Sequence, residues 1–146
     1  MVRKATKAER PKFPRRAVPV FDGATEQKSA ENYSALMTSP EFAALRIVDG
    51  AESNSGLGEK IDMPSLLLVL RDQAAELNKG DLKRVESILM NQATALQTLF
   101  SRLADRGMRL DTIPGFEANM KMALRAQSQC RATLETLAAM KNPPVV

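Results

Sequence analysis

Between residues 81 and 141 the apolar residues return every three or four positions through two runs of about 25 residues each. In the first run Leu82, Val85, Leu89, Leu96, Leu99 and Leu103 keep that spacing, and in the second Phe116, Met120, Ala123, Cys130, Leu134 and Leu137 do. Such a period brings side chains back to one face of a 3.6-residue turn, whereas a strand needs alternation by two. The spacing therefore predicts two helices of ~37 Å, folded back through the loop at 108–112 as an antiparallel hairpin. The boundary residues agree. Gly107 closes the first run, Ile113-Pro114-Gly115 opens the second, and Asn142-Pro143-Pro144 ends it, because proline cannot continue a helix and restricts its predecessor.

Two glutamines interrupt the pattern, Gln92 and Gln127. Antiparallel pairing about the centre of the loop sets Gln92 opposite Gln129 and Thr94 opposite Gln127. Their amides and hydroxyl both donate and accept, so Gln92, Thr94, Gln127 and Gln129 are expected to form a polar layer across the seam. Such a layer costs stability and fixes register or oligomer number.

A third helix is expected just upstream. Asp62 is placed as its N-cap, Pro64 lies in its first turn, and Gly80 follows as a left-handed terminator. Its stripe of Leu66, Leu67, Leu70, Ala74 and Leu77 is widened by Leu68 and Val69, a pattern for a helix covered on more than one side. The short Gly80-Asp81 connection predicts that it packs antiparallel to the helix capped by Asp81. The result is an all-α class: a long antiparallel hairpin packed with a third helix, in one domain over 62–146. With aromatics at 4% and no tryptophan, the core must be aliphatic, which suits helices better than a β-sandwich. The stripes are wider than three helices need for each other. Self-association is therefore expected, a homodimer in the simplest case, with a helix of another protein as the other occupant.

Residues 25–61 read as a short helix and a flexible linker. The segment 26–37 is mostly polar, a marginal helix with Tyr33, Leu36 and Met37 clustered. Ser39-Pro40-Glu41 is a stronger start signal, followed by Phe42, Leu45, Ile47 and Val48, and Asp49-Gly50 is expected to end that helix. The composition of 50–60 (GAESNSGLGEK) predicts a linker. Its glycines do not make a phosphate loop: Glu59 separates Gly58 from Lys60, Ile61 stands where a hydroxyl residue is required, and no strand precedes it.

The net charge of +4 is unevenly distributed. Within 1–16, Arg3, Lys4, Lys7, Arg10, Lys12, Arg15 and Arg16 face the single acid Glu9, while the rest of the chain is mildly acidic. Residues 1–24, charged and proline-containing, are expected to form a disordered basic arm. Its seven basic side chains are assigned to nucleic-acid phosphates, without strong sequence preference. The plain alternatives are a solubilising tail and contact with an acidic partner.

Catalytic classes find little support. The absence of histidine removes the commonest general base and metal ligand, and a lone cysteine cannot build a zinc site. Cys130 falls on the seam and reads as a buried structural thiol. Glu117 with Lys121, and Arg131 with Glu135, are surface pairs four residues apart. The expectation is a non-enzymatic protein without cofactor or metal. No apolar run reaches the ~18 residues of a membrane span, no apolar stretch backs the basic N-terminus as in a secretory signal, and a single cysteine fits a reducing cytoplasm.

The segments GDLKRVESILMNQATALQTLF (80–100) and LRAQSQCRATLETLAAMKNPP (124–144) resemble a family of small helical bacterial proteins associated with mobile-element or prophage regions. The resemblance covers about residues 62–144 and is most specific in the run from Ala126 to Glu135. It implies a bacterial or phage source and a helical fold, and it carries no activity and no site residues.

Overall fold

The computed structural model describes residues 12–143, and these contain five α-helices and no strand. They are α1 (Glu26–Met37), α2 (Pro40–Glu52), α3 (Met63–Asn78), α4 (Lys83–Met108) and α5 (Ile113–Lys141), with a single 3-10 turn at Gly58–Lys60. The chain divides into two compact units, Met1–Gly80 and Asp81–Val146.

In the first unit three helices start on side-chain caps. Thr25 accepts from the Lys28 N–H, Ser39 from that of Phe42, and Asp62 from that of Ser65. Each satisfies an amide that the first helical turn leaves without a carbonyl. Leu45 of α2 and Met63 and Leu67 of α3 form the buried cluster, ringed by Val18, Leu36, Phe42, Ile61, Leu66 and Leu70.

Three expectations change here. The domain boundary falls at Gly80 rather than before Asp62, because the apolar face of α3 is taken up by α2 and the chain around it. Asp49 and Gly50 do not end α2, which runs on to Glu52. The segment 50–60 is not a free linker: Gly58 is buried so close to α2 that a Cβ there would lie 2.6 Å from the Glu52 carbonyl oxygen.

The second unit is the α4–α5 hairpin, of 26 and 29 residues, or ~39 and ~43 Å at 1.5 Å per residue. Gly80, at φ 85°, turns the chain into it, and α4 begins at Lys83, whose N–H is received by the Asp81 carboxylate at 3.0 Å. Gly107 does not close α4. It is buried within the last turn, where a Cβ would lie 3.3 Å from Cβ of Asn119.

The contact between α4 and α5 is rotated from the expected one. The inward line on α5 is Asn119, Ala123, Ala126, Cys130, Thr133, Leu137 and Met140, so Asn119, Ala126 and Thr133 replace Met120, Gln127 and Leu134. On α4, Ala93 replaces Gln92 and the half-buried Phe100 replaces Leu99. Register is shown by Cys130, whose thiol donates to the Ala93 carbonyl at 3.3 Å, and by the Lys141–Glu86 ion pair at the open end. The expected polar layer does not form: Gln92, Thr94, Gln127 and Gln129 are all exposed. Small side chains at the seam let the helix axes approach closely, and close packing favours that face over the bulkier one beside it.

Ala123 is completely buried, so Ala123→Leu should overpack the seam and destabilise the chain by ~1–3 kcal/mol. Gln92→Ala, on the exposed flank, should stay within about 0.5 kcal/mol. Urea unfolding of the two variants separates this seam from one built on the glutamines.

Candidate interaction surface

The described part of the basic arm is docked. The Arg15 N–H donates to Oδ1 of Asp62 at 2.6 Å, its Nε to the same oxygen at 3.0 Å and its Nη2 to Oδ2 at 2.8 Å. The Arg15 carbonyl in turn accepts from the Met63 N–H at 2.8 Å. Asp62 thus fastens the arm and caps α3 at once, since Ser65 donates its N–H and hydroxyl to Oδ2. Arg16 Nη1 donates to the carbonyls of Gly58 and Ile61, and its Nη2 pairs with Asp49. Val18 then packs on the buried cluster, and the Phe21 carbonyl accepts from Asn32 Nδ2 at 2.9 Å.

This corrects the expected arm in two ways. The stretch around Arg15 to Phe21 is ordered, because two guanidiniums find acceptors that composition alone does not reveal. Arg15 and Arg16 are also withdrawn from the set of seven phosphate contacts. Of the others, Lys12 is exposed, and Arg3, Lys4, Lys7 and Arg10 lie outside the described residues. The acceptors are legible in the sequence only as acids at helix ends, Asp62 as a cap and Asp49 as a terminator.

The larger surface belongs to the hairpin. With small residues inside, large apolar ones are left on its flanks. Ile88, Met90 and Leu99 on α4, and Met122, Leu124 and Leu134 on α5, are 43–54% exposed. They fall on two sides. One carries Val85, Ile88, Ala95 and Leu99 of α4 beside Met122 and Ala132 of α5. The other carries Met90 and Ala104 beside Met120, Leu124, Leu134 and Ala138, and here a shallow groove over Cys130 is lined by Gln97, Gln127, Leu134 and Ala138. The first side ends, toward the loop, in Arg102, Arg106 and Arg125, which make no ion pair among the described residues. Arg131 is tied instead to Glu135 at 3.7 Å, and Arg109 to Asp105.

Among the described residues no three His, Cys, Asp or Glu side chains gather, and no helix is long and apolar enough to cross a membrane. Comparison with protein-family profiles, with curated proteins and with solved structures finds no match to this chain. The likeness to small helical bacterial proteins therefore adds nothing to the site, which stands on its own geometry.

Asp62 supplies a pH prediction. Hydrogen bonds from the Arg15 guanidinium, and then from Ser65, hold its carboxyl far below the usual carboxylate range. A folded-state value below the unfolded one, about 3.9, means that the unfolded chain takes the proton first. The clasp therefore stabilises fully above about pH 4 and is lost as pH falls further toward the depressed folded value. Melting curves from pH 2 to 7 should show Asp62→Asn below the parent at neutrality, with the gap closing under about pH 4.

Proposed function

We propose that this protein is a non-enzymatic helical interaction module, whose α4–α5 hairpin works by packing against further helices. One observation carries the reading: the residues that the hairpin buries fully are small (alanine, glycine, cysteine and one asparagine), while Ile88, Met90, Leu99, Met122, Leu124 and Leu134 stay 43–54% exposed. A helix in a bundle needs an apolar stripe of about 100° or more, and a single partner covers only part of it. Covering a half-exposed leucine is worth about 1 kcal/mol, so a flank with three or four of them supports specific association.

A second reading, contact with nucleic acid, is favoured by the Arg102, Arg106 and Arg125 flank together with the basic residues before Phe13. With Arg15 and Arg16 engaged in the fold, the arm retains Arg3, Lys4, Lys7, Arg10 and Lys12. Five phosphate contacts give log affinity against log salt a slope of about −4.5 on duplex DNA, where seven would give about −6. A reducing bacterial or phage-encoded setting remains part of the proposal and rests on the sequence alone.

Affinity capture from the host, with and without nuclease, tests the main reading. Partners should persist after nuclease and be lost when Leu124 and Leu134 are both changed to glutamate. Partners that vanish with nuclease, or that ignore the two substitutions, overturn it. For the second reading, a DNA salt series on the parent and on Arg15→Ala/Arg16→Ala should give the same slope.

A further inference from the structure

The stripe beside the seam on α5 consists of Glu117, Met120, Leu124, Gln127, Arg131, Leu134, Ala138 and Lys141, at alternating steps of three and four. Leu124 and Leu134 are 54% and 43% exposed, and Gln127, Arg131 and Lys141 are exposed as well. The stripe forms one wall of the groove that Gln97 of α4 completes, and Met90 lies seven residues before Gln97 on the same line.

A two-fold axis between Gln127 and Arg131 maps the stripe onto itself. It sets Leu124 against Leu134 of the second copy, Met120 against Ala138, Gln127 against Arg131, and Glu117 against Lys141. Every pair is complementary: two leucines meet, a long side chain meets a short one, an amide oxygen meets a guanidinium, and a carboxylate meets an ammonium. The opposite flank has no such symmetry. Its arginines are gathered near the loop, so one two-fold pairing brings like charges together and the other sets them on leucines.

From this self-complementarity we infer that the occupant of the groove is a second copy of the chain, with α5 packed antiparallel on α5 to complete a four-helix bundle. The inference rests on the interaction-module reading and names its partner. Lys141 already pairs with Glu86 of its own chain, and at the bundle end it joins that carboxylate to Glu117 of the other copy. A C2 interface is isologous, so each contact occurs twice and every substitution is felt twice.

Sedimentation of the full chain at tens of micromolar tests it. The expected mass is twice the 16.0 kDa of one chain. Leu134→Glu should weaken association by about tenfold or more while the helical circular dichroism is kept, since that side chain lies outside the seam. Glu117→Arg and Lys141→Glu should each lower the dimer fraction alone, and an equimolar mixture should recover it. In the mixed pair the two substituted positions meet each other with their charges exchanged, and on the other side native Lys141 meets native Glu117. A 16.0 kDa parent overturns the inference, and so does a dimer indifferent to these substitutions. Host capture that depends on Leu124 and Leu134 would still support the interaction module with a different helical partner, so the two readings fail separately.

Discussion

The close approach of α4 and α5 is the constraint on which the second unit depends. Ala93, Gly107, Ala123, Ala126 and Cys130 are the small residues buried between the helices, and there the Cys130 thiol reaches the Ala93 carbonyl. Dispersion falls steeply with separation, so a tight contact between small groups competes well with a looser one between large groups. The consequence is geometric. Once the small face is turned inward, the leucines and methionines beside it must look outward, and the hairpin acquires two apolar flanks. The same rotation leaves Gln92, Thr94, Gln127 and Gln129 at the rim of the contact. An internal register key is thereby lost, and one of the four, Gln127, instead borders the groove.

The first unit is organised by a different kind of interaction. Asp62 receives the arm through Arg15 and caps α3 through Ser65, so one carboxylate links a segment of the N-terminal chain to the start of the helix that builds the core. Its acceptor capacity is filled by donors with opposite or no charge, which is what keeps it ionised. Arg16 adds bonds to two main-chain carbonyls beside Gly58, in a stretch whose composition suggests slack chain. Glycine there serves close packing against α2, not flexibility. Each unit thus has its own internal tie: the hairpin closes on small apolar residues, and the first unit adds directed polar bonds to its apolar cluster.

For function, this separates the basic charge into parts with different physical roles. Arg15 and Arg16 hold the fold, Arg131 and Arg109 are balanced on the helix surface, and Arg102, Arg106 and Arg125 have no ion-pair partner among the described residues. Net charge alone cannot make that division, because it counts an ion-paired clasp and an unpaired side chain alike. The apolar flanks are the stronger pointer to association, since half-exposed leucines on a regular helix have a simple way to lower their free energy.

Much of the architecture was legible one residue at a time. The helices, the proline and serine starts, the Asp62 cap, the left-handed Gly80 and the antiparallel hairpin all follow from period and local chemistry, which act over a few residues. The seam residues 89, 96, 123, 130 and 137 were legible too, because they belong to the apolar phase whichever way the helix is turned by one residue. What the tertiary structure alone decided is that last rotation, together with the company kept by α3 and the docking of Arg15 and Arg16. Each depends on groups far apart in the chain meeting at van der Waals or hydrogen-bond distance: Ala93 with Cys130, Met63 and Leu67 with Leu45, Arg15 with Asp62. A hydrophobic pattern ranks faces by how apolar they are, whereas packing ranks them by how closely they fit. On this hairpin the two rankings differ by one residue, and that difference leaves Leu99, Leu124 and Leu134 on the outside while Leu89, Leu96 and Leu137 keep to the seam.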